Sequence, residues 1–172
     1  MNKSSIFLIG FMGAGKTAVG KPLSLLTHQP FYDADRVIET EMGLSIPDLF
    51  HTYGEHWFRG KESETIDRLT QLSSIVLATG GGAILNPDNR LHLKTFGHVV
   101  YLRARLDTLW ERIKNTADSR PLLQDKNVYQ KMQTLLNERT TLYEETADSI
   151  VDTDDCTLDE IAMTVFEIVG AQ

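Results

Sequence analysis

One octapeptide limits the folds open to this chain. Gly10-Phe11-Met12-Gly13-Ala14-Gly15-Lys16-Thr17 has the spacing G-x-x-x-x-G-K-[ST]. Before it stands an apolar run, Ser5 to Ile9, whose lack of alternation predicts a strand buried on both faces. After it comes a helical stretch from about Lys16 to Thr27. Strand, glycine turn and helix together are the context in which this spacing does chemistry. Glycines let backbone N–H groups turn inward around phosphate oxygens with no side chain in the way. The helix N-terminus adds its dipole and unpaired donors. In such a loop Lys16 reaches the β and γ phosphates and the Thr17 hydroxyl ligates Mg²⁺. A glycine turn with a chance Lys-Thr is the bland alternative, and the flanking strand and helix argue against it. Nucleoside triphosphate binding is expected at Gly13, Ala14, Gly15, Lys16, Thr17 and Ala18; the reaction stays open.

The rest of the chain alternates in the same way. Short apolar runs at Phe31–Asp33, Ile75–Thr79, His98–Leu102 and Ser149–Thr153 predict four more strands. Helical patterns fall at about Asp35–Met42, Ser45–Tyr53, Phe58–Gln71, from Pro87, Leu106–Lys114, Tyr129–Glu145 and Leu158–Val169. Five strands separated by helices predict an α/β protein with a five-stranded parallel sheet and helices on both faces. The 172 residues suit one domain, 1–172, with no linker or repeat to divide them. Pro22 falls inside the first helix, so a kink is expected there unless the helix start lies close enough to relieve it.

Composition excludes several classes. No apolar run approaches the ~18 residues a membrane span needs. The N-terminal apolar run breaks at Gly10, too early for a signal-peptide core. A single cysteine, Cys156, allows no internal disulfide and no multi-cysteine metal site. These bounds predict a cytoplasmic protein. The net charge of −7 argues against a nucleic-acid partner but not against a small anionic ligand in a locally positive pocket.

Ligands of open parallel sheets bind beyond the carboxyl ends of the strands. Asp33-Ala34-Asp35 ends the second strand and Gly80-Gly81-Gly82 ends the third, with Phe58-Arg59-Gly60-Lys61-Glu62 in the helical stretch between them. Each has a plain structural reading. Asp35 could cap a helix, Arg59 could lie on the surface, and the glycines could form only a tight turn. Their convergence beside a phosphate loop favours a site.

The ordered set Gly10–Thr17, D-x-D, F-R-x-x-E, G-G-G, Arg120-Pro121-Leu122 and Arg139-x-x-x-Tyr143 resembles the shikimate kinase family, from Ile6 to about Val169. That resemblance implies a three-layer P-loop kinase fold, with a substrate-binding helical insert at about 35–71 and a lid at about 113–128. It implies ATP-dependent phosphorylation of the 3-hydroxyl of shikimate, in aromatic amino-acid biosynthesis, by a monomer without a membrane partner. The implied roles fit the chemistry. A carboxylate suits bidentate guanidinium groups, here Arg59 and Arg139. The reacting hydroxyl suits a carboxylate acceptor, Asp35. Asp33 supports Mg²⁺ through water, and Gly81, with Gly82, lets the backbone approach the substrate. Arg120 contacts phosphate from the lid, and Arg112 stacks on adenine; either could instead be an ordinary exposed arginine. Two departures stand out. Thr141 replaces the family's proline, which should loosen a helix start, and Pro22 is the other.

The five histidines lack metal-ligand spacing and read as surface or helix-end residues. Cys156 is expected to be small and half-buried. Leu158, Ile161, Val165 and Ile168 form an apolar helical stripe best explained by core packing. Two competing functions remain: a kinase for another hydroxy acid such as gluconate, and a nucleotide-binding regulatory module without catalysis. The presence of Lys16, Thr17, Asp35, Arg59 and Arg139 argues against the second.

Overall fold

The computed structural model describes residues 4–114 and 127–170. Five parallel strands form one sheet: β1 (Ser5–Ile9), β2 (Phe31–Asp33), β3 (Val76–Ala78), β4 (Gly97–Arg103) and β5 (Ser149–Asp152), in the order β2-β3-β1-β4-β5. Side chains alternate between the faces of a strand, yet every residue of β1 is buried. Both faces of the sheet centre are therefore covered, as the unbroken apolar runs predict. Register places Ile9 opposite Tyr101, so the loop leaving β1 emerges beside the carboxyl end of β4.

Among the described residues seven α-helices flank the sheet: α1 (Lys16–Thr27), α2 (Ala34–Met42), α3 (Ile46–Thr70), α4 (Pro87–Phe96), α5 (Leu106–Ile113), α6 (Val128–Thr146) and α7 (Leu158–Gly170). Most of the apolar stripe of α7 is core, with Ile161 and Val165 buried and Ile168 packed against the core, but Leu158 at its start is exposed and not part of the core as expected; α7 lies along α1. A second, small core of Ile38, Leu49 and Phe58, with Phe50 and Trp57 against it, ties α2 to α3.

The helices bear on three expectations. The two helices expected between Ser45 and Gln71 are present, joined within the span of α3 across a non-helical residue, Gly54 (φ 82°, ψ 166°). The second half thus starts a few residues before Phe58. Helix α1 runs through Pro22 to Thr27; the N–H that proline lacks would have bonded Ala18, within the first turn, so the lost bond falls near the helix start. Thr141 lies inside the continuous α6 and marks no helix start. Arg120 and Pro121, with most of the expected 113–128 lid, lie outside the described residues.

Candidate active site

The loop between β1 and α1 takes its shape from glycines in the left-handed region: Gly10 (φ 150°), Gly13 (φ 81°) and Gly15 (φ 92°). At Gly13 a Cβ would stand 2.8 Å from the Ile113 side chain and 3.0 Å from the Leu109 carbonyl, so the bare backbone lets the loop lie against α5. Lys16 reaches back over the loop and donates to the carbonyls of Gly10 (2.7 Å) and Phe11 (3.0 Å).

Thr17 sits at the start of α1, and its hydroxyl donates to Asp33 Oδ2 at 2.5 Å. Asp33 Oδ1 accepts the backbone N–H groups of Asp35 (3.0 Å) and Arg36 (3.3 Å). Asp33 is thus the cap of α2. That observation removes the plain reading of Asp35 as a cap and leaves its carboxylate for other work. The adjacent Thr17 hydroxyl and Asp33 carboxylate are hard oxygen donors that fit Mg²⁺, an ion bound through few protein ligands plus phosphates and water. Among the described residues no cluster of three or more His, Cys, Asp or Glu side chains is arranged to hold a metal.

Beside the loop opens a cavity of about 640 Å³, walled by α2, α3, the Gly80–Gly82 turn and Arg139 of α6. Asp35 and Glu62 meet at Gly80, where a Cβ would lie 2.4 Å from Glu62 Oε1 and 3.0 Å from Asp35 Oδ1. Burial pushes Asp35 up to about 7, with the Glu62 and Asp33 charges adding to the rise and Lys16 opposing it. Glu62 is 1% exposed. Its carboxylate pairs with Arg59 Nη1 at 2.7 Å, and burial still holds its pKa above the usual range. Arg59 also lies over the rings of Phe50 (5.9 Å) and Phe58 (5.5 Å). Its guanidinium passes so close to Gly82 that a Cβ there would stand 2.5 Å from Nη1. Arg139, 4% exposed, donates to the Gly81 carbonyl at 3.4 Å and covers the Phe11 ring.

A second cavity, about 620 Å³, lies on the other side of the loop and is lined by Gly13–Ala18, Arg112 and Cys156–Leu158. Arg112 is fixed by bonds to the Thr153 carbonyl (2.7 Å), the Thr153 hydroxyl (3.1 Å) and the Gly13 carbonyl (3.3 Å). Cys156 is exposed, not half-buried as expected. It follows Asp155, whose backbone is left-handed (φ 57°), at the border of this cavity. Both cavities are bordered by Met12, Thr17, Asp33, Asp35 and Gly81.

The expected site residues among those described therefore converge. Lys16, Thr17, Asp33, Asp35, Arg59, Gly81, Gly82 and Arg139 surround one loop, with Arg112 on its far side. The close-approach role expected of Gly81 is divided. Gly81 faces the loop, where a Cβ would lie 3.3 Å from the Met12 amide nitrogen, while Gly80 and Gly82 make room for the acids and for Arg59. Sequence reasoning gave no role to Gly80, Glu62, Phe50 or Tyr143. For Glu62 a signal existed: three residues after Arg59 on a helix, it shares that residue's face.

Comparison with known proteins accords with this geometry. The shikimate kinase family model matches residues 12–169. A shikimate kinase of Thiobacillus denitrificans is 48% identical over 151 residues, covering 88% of this chain and 82% of the relative. The solved shikimate kinase of Acinetobacter baumannii in complex with shikimate superposes with a TM-score of 0.94 at 39% identity, over 97% of this chain and 93% of that one. A gluconokinase of Sinorhizobium meliloti, 19% identical with a TM-score of 0.57, shares the fold alone. A match spanning nearly the whole sequence settles the relationship: the chain belongs to the shikimate kinase family.

Proposed function

We propose that this chain transfers the γ-phosphate of ATP to the 3-hydroxyl of shikimate, giving shikimate 3-phosphate and ADP. The observation that carries the reading is the position of Asp35. It borders both cavities, beside the glycine loop on one hand and Arg59 and Arg139 on the other. The two guanidinium groups take the acceptor's carboxylate. Asp35 then receives a hydrogen bond from the reacting hydroxyl, and its raised pKa makes it a proton acceptor matched to neutral pH. Lys16, held over the loop, offers its charge to the transferring group, which needs positioning and neutralisation more than covalent help. Mg²⁺, when bound, neutralises charge on the phosphate oxygens, and Thr17 and Asp33 are the residues that hold it, Asp33 through water. Arg112 borders the adenine, and Arg120 contacts phosphate. The protein acts as a monomer in the cytoplasm, in the pathway to aromatic amino acids, with neither nucleic acid nor membrane as partner. Among the described residues no helix is long and apolar enough to cross a membrane.

Gluconate offers a carboxylate and hydroxyls too, and a gluconokinase shares the fold. ADP release measured in parallel with shikimate, gluconate and no acceptor separates the readings. Rapid release with shikimate alone is expected. Equal release with gluconate, or release independent of any acceptor, overturns the proposal.

A further inference from the structure

Tyr143 is a fully buried tyrosine, 0% exposed, outside the roles derived so far. Its hydroxyl donates to the Gly81 carbonyl at 2.5 Å. The same carbonyl receives Arg139 Nη1 at 3.4 Å. Arg139 and Tyr143 are four residues apart on α6, one above the other on one helix face. The Tyr143 ring stacks on Tyr101, with centroids 4.9 Å apart and planes 19° from parallel. Tyr101 in turn pairs with Ile9, the residue before the phosphate loop. One side chain thus joins the Gly80–Gly82 turn, the helix carrying Arg139, and the strand beside the loop.

The bond also fixes a direction. A trans peptide points its carbonyl and its following N–H to opposite sides. Turning the Gly81 carbonyl towards α6 therefore turns the Gly82 N–H away from α6. Gly82 lines the acceptor cavity, with the Arg59 guanidinium against its α-carbon. Glycines on both sides of this peptide leave little steric restraint on its rotation, so something outside the turn must hold it.

We propose that Tyr143 is a positioning residue that locks the Gly81–Gly82 peptide, so that the Gly82 N–H faces the acceptor's carboxylate from the side of the peptide opposite the carbonyl that Tyr143 and Arg139 hold. This rests on shikimate being the acceptor. The hydroxyl is a neutral donor, since burial holds the Tyr143 pKa above the ordinary tyrosine value.

The test is Tyr143→Phe, which keeps the ring and its stack on Tyr101 and removes only the donor. Steady-state kinetics of full-length protein should give a shikimate KM raised ~10-fold or more, with the ATP KM within about twofold of the unsubstituted value. A lost hydrogen bond to a pre-aligned site has this size. Tyr101→Phe, measured alongside, should leave both constants near their starting values. An unchanged shikimate KM in Tyr143→Phe overturns the proposal, as does a parallel rise in both constants, which would mark general loosening. A second measurement does not depend on the variant folding. In ¹⁵N-labelled unsubstituted protein, shikimate added without nucleotide should shift the Gly82 amide resonance, and an unmoved Gly82 amide among shifted neighbours overturns the proposal. Failure of the unsubstituted protein to turn over shikimate would instead overturn the substrate assignment itself, so the two failures are distinct.

Discussion

Asp35 illustrates how a single group can serve chemistry and oppose folding. In the folded, metal-free protein its pKa lies at about 7, against an ordinary value of 3.8. Between these values the folded chain holds a proton that the unfolded chain has released. Stability from this group is therefore complete below pH ~4 and is lost as pH rises to ~7. Asp35→Asn removes the charge that must otherwise be buried, beside Glu62 and Asp33. The variant is expected to be more stable than the unsubstituted protein at pH 8 by ~1–4 kcal/mol, with the gain shrinking towards pH 4. Urea unfolding in EDTA at both pH values measures this directly. An unchanged midpoint at pH 8 contradicts the raised pKa. The same variant should lose turnover while keeping its fold, because an amide cannot take the hydroxyl's proton.

Helix α3 is governed by two glycines with opposite demands. Gly54 breaks the helix at φ 82°, ψ 166°, a backbone region that L residues avoid, and no atom crowds the place where a Cβ would sit. Its cost on substitution is therefore purely conformational. Gly60 lies within the helical second half, also with open space around it. Gly54→Ala should destabilise by ~1–3 kcal/mol, whereas Gly60→Ala should stabilise by ~0.5–1 kcal/mol. Chemical denaturation of the pair checks both signs together; two changes of the same sign would refute the account. Because Arg59 and Glu62 follow the break, Gly54→Ala should also raise the shikimate KM more than the ATP KM. This pair marks what could be read in the sequence and what could not. The strands were legible because their apolar runs are unbroken, and the phosphate loop because its spacing is tied to one backbone path. The separation at Gly54 was visible as two helical patterns, but the left-handed backbone joining them was not. Asp33 and Asp35 were both nominated, yet only packing decides which carboxylate caps α2 and which is left free. Glu62 and Tyr143 escaped because their roles depend on backbone atoms of a distant turn: Gly80 leaves room for one and the Gly81 carbonyl receives the other.

The molecule as a whole is acidic, with a net charge of −7, and yet its cleft gathers cations. Lys16 and Arg139 are buried, Arg59 is largely so, and Arg112 lies behind the loop. Much of the acidic excess lies outside, as at Glu64, Asp152 and Asp155, all well exposed. Such an arrangement keeps polyanions at a distance while a small anion meets a desolvated positive pocket. The two cavities share Met12, Thr17, Asp33, Asp35 and Gly81 but no arginine, so ligand affinities should separate by side. Arg139, buried against Phe11 on the acceptor side, should matter only for the hydroxy acid. Arg112, bonded to Thr153 on the nucleotide side, should matter only for ATP. Calorimetric titration of each ligand alone into Arg139→Ala is expected to show shikimate affinity down ~10²-fold, the size of a lost buried charge-assisted contact, with ATP affinity nearly unchanged. Arg112→Ala should show the converse, with ATP weakened roughly tenfold as for a lost cation–π and packing contact. If either variant weakens both ligands alike, the cleft is one coupled site, and the division at Asp35 does not describe how it binds.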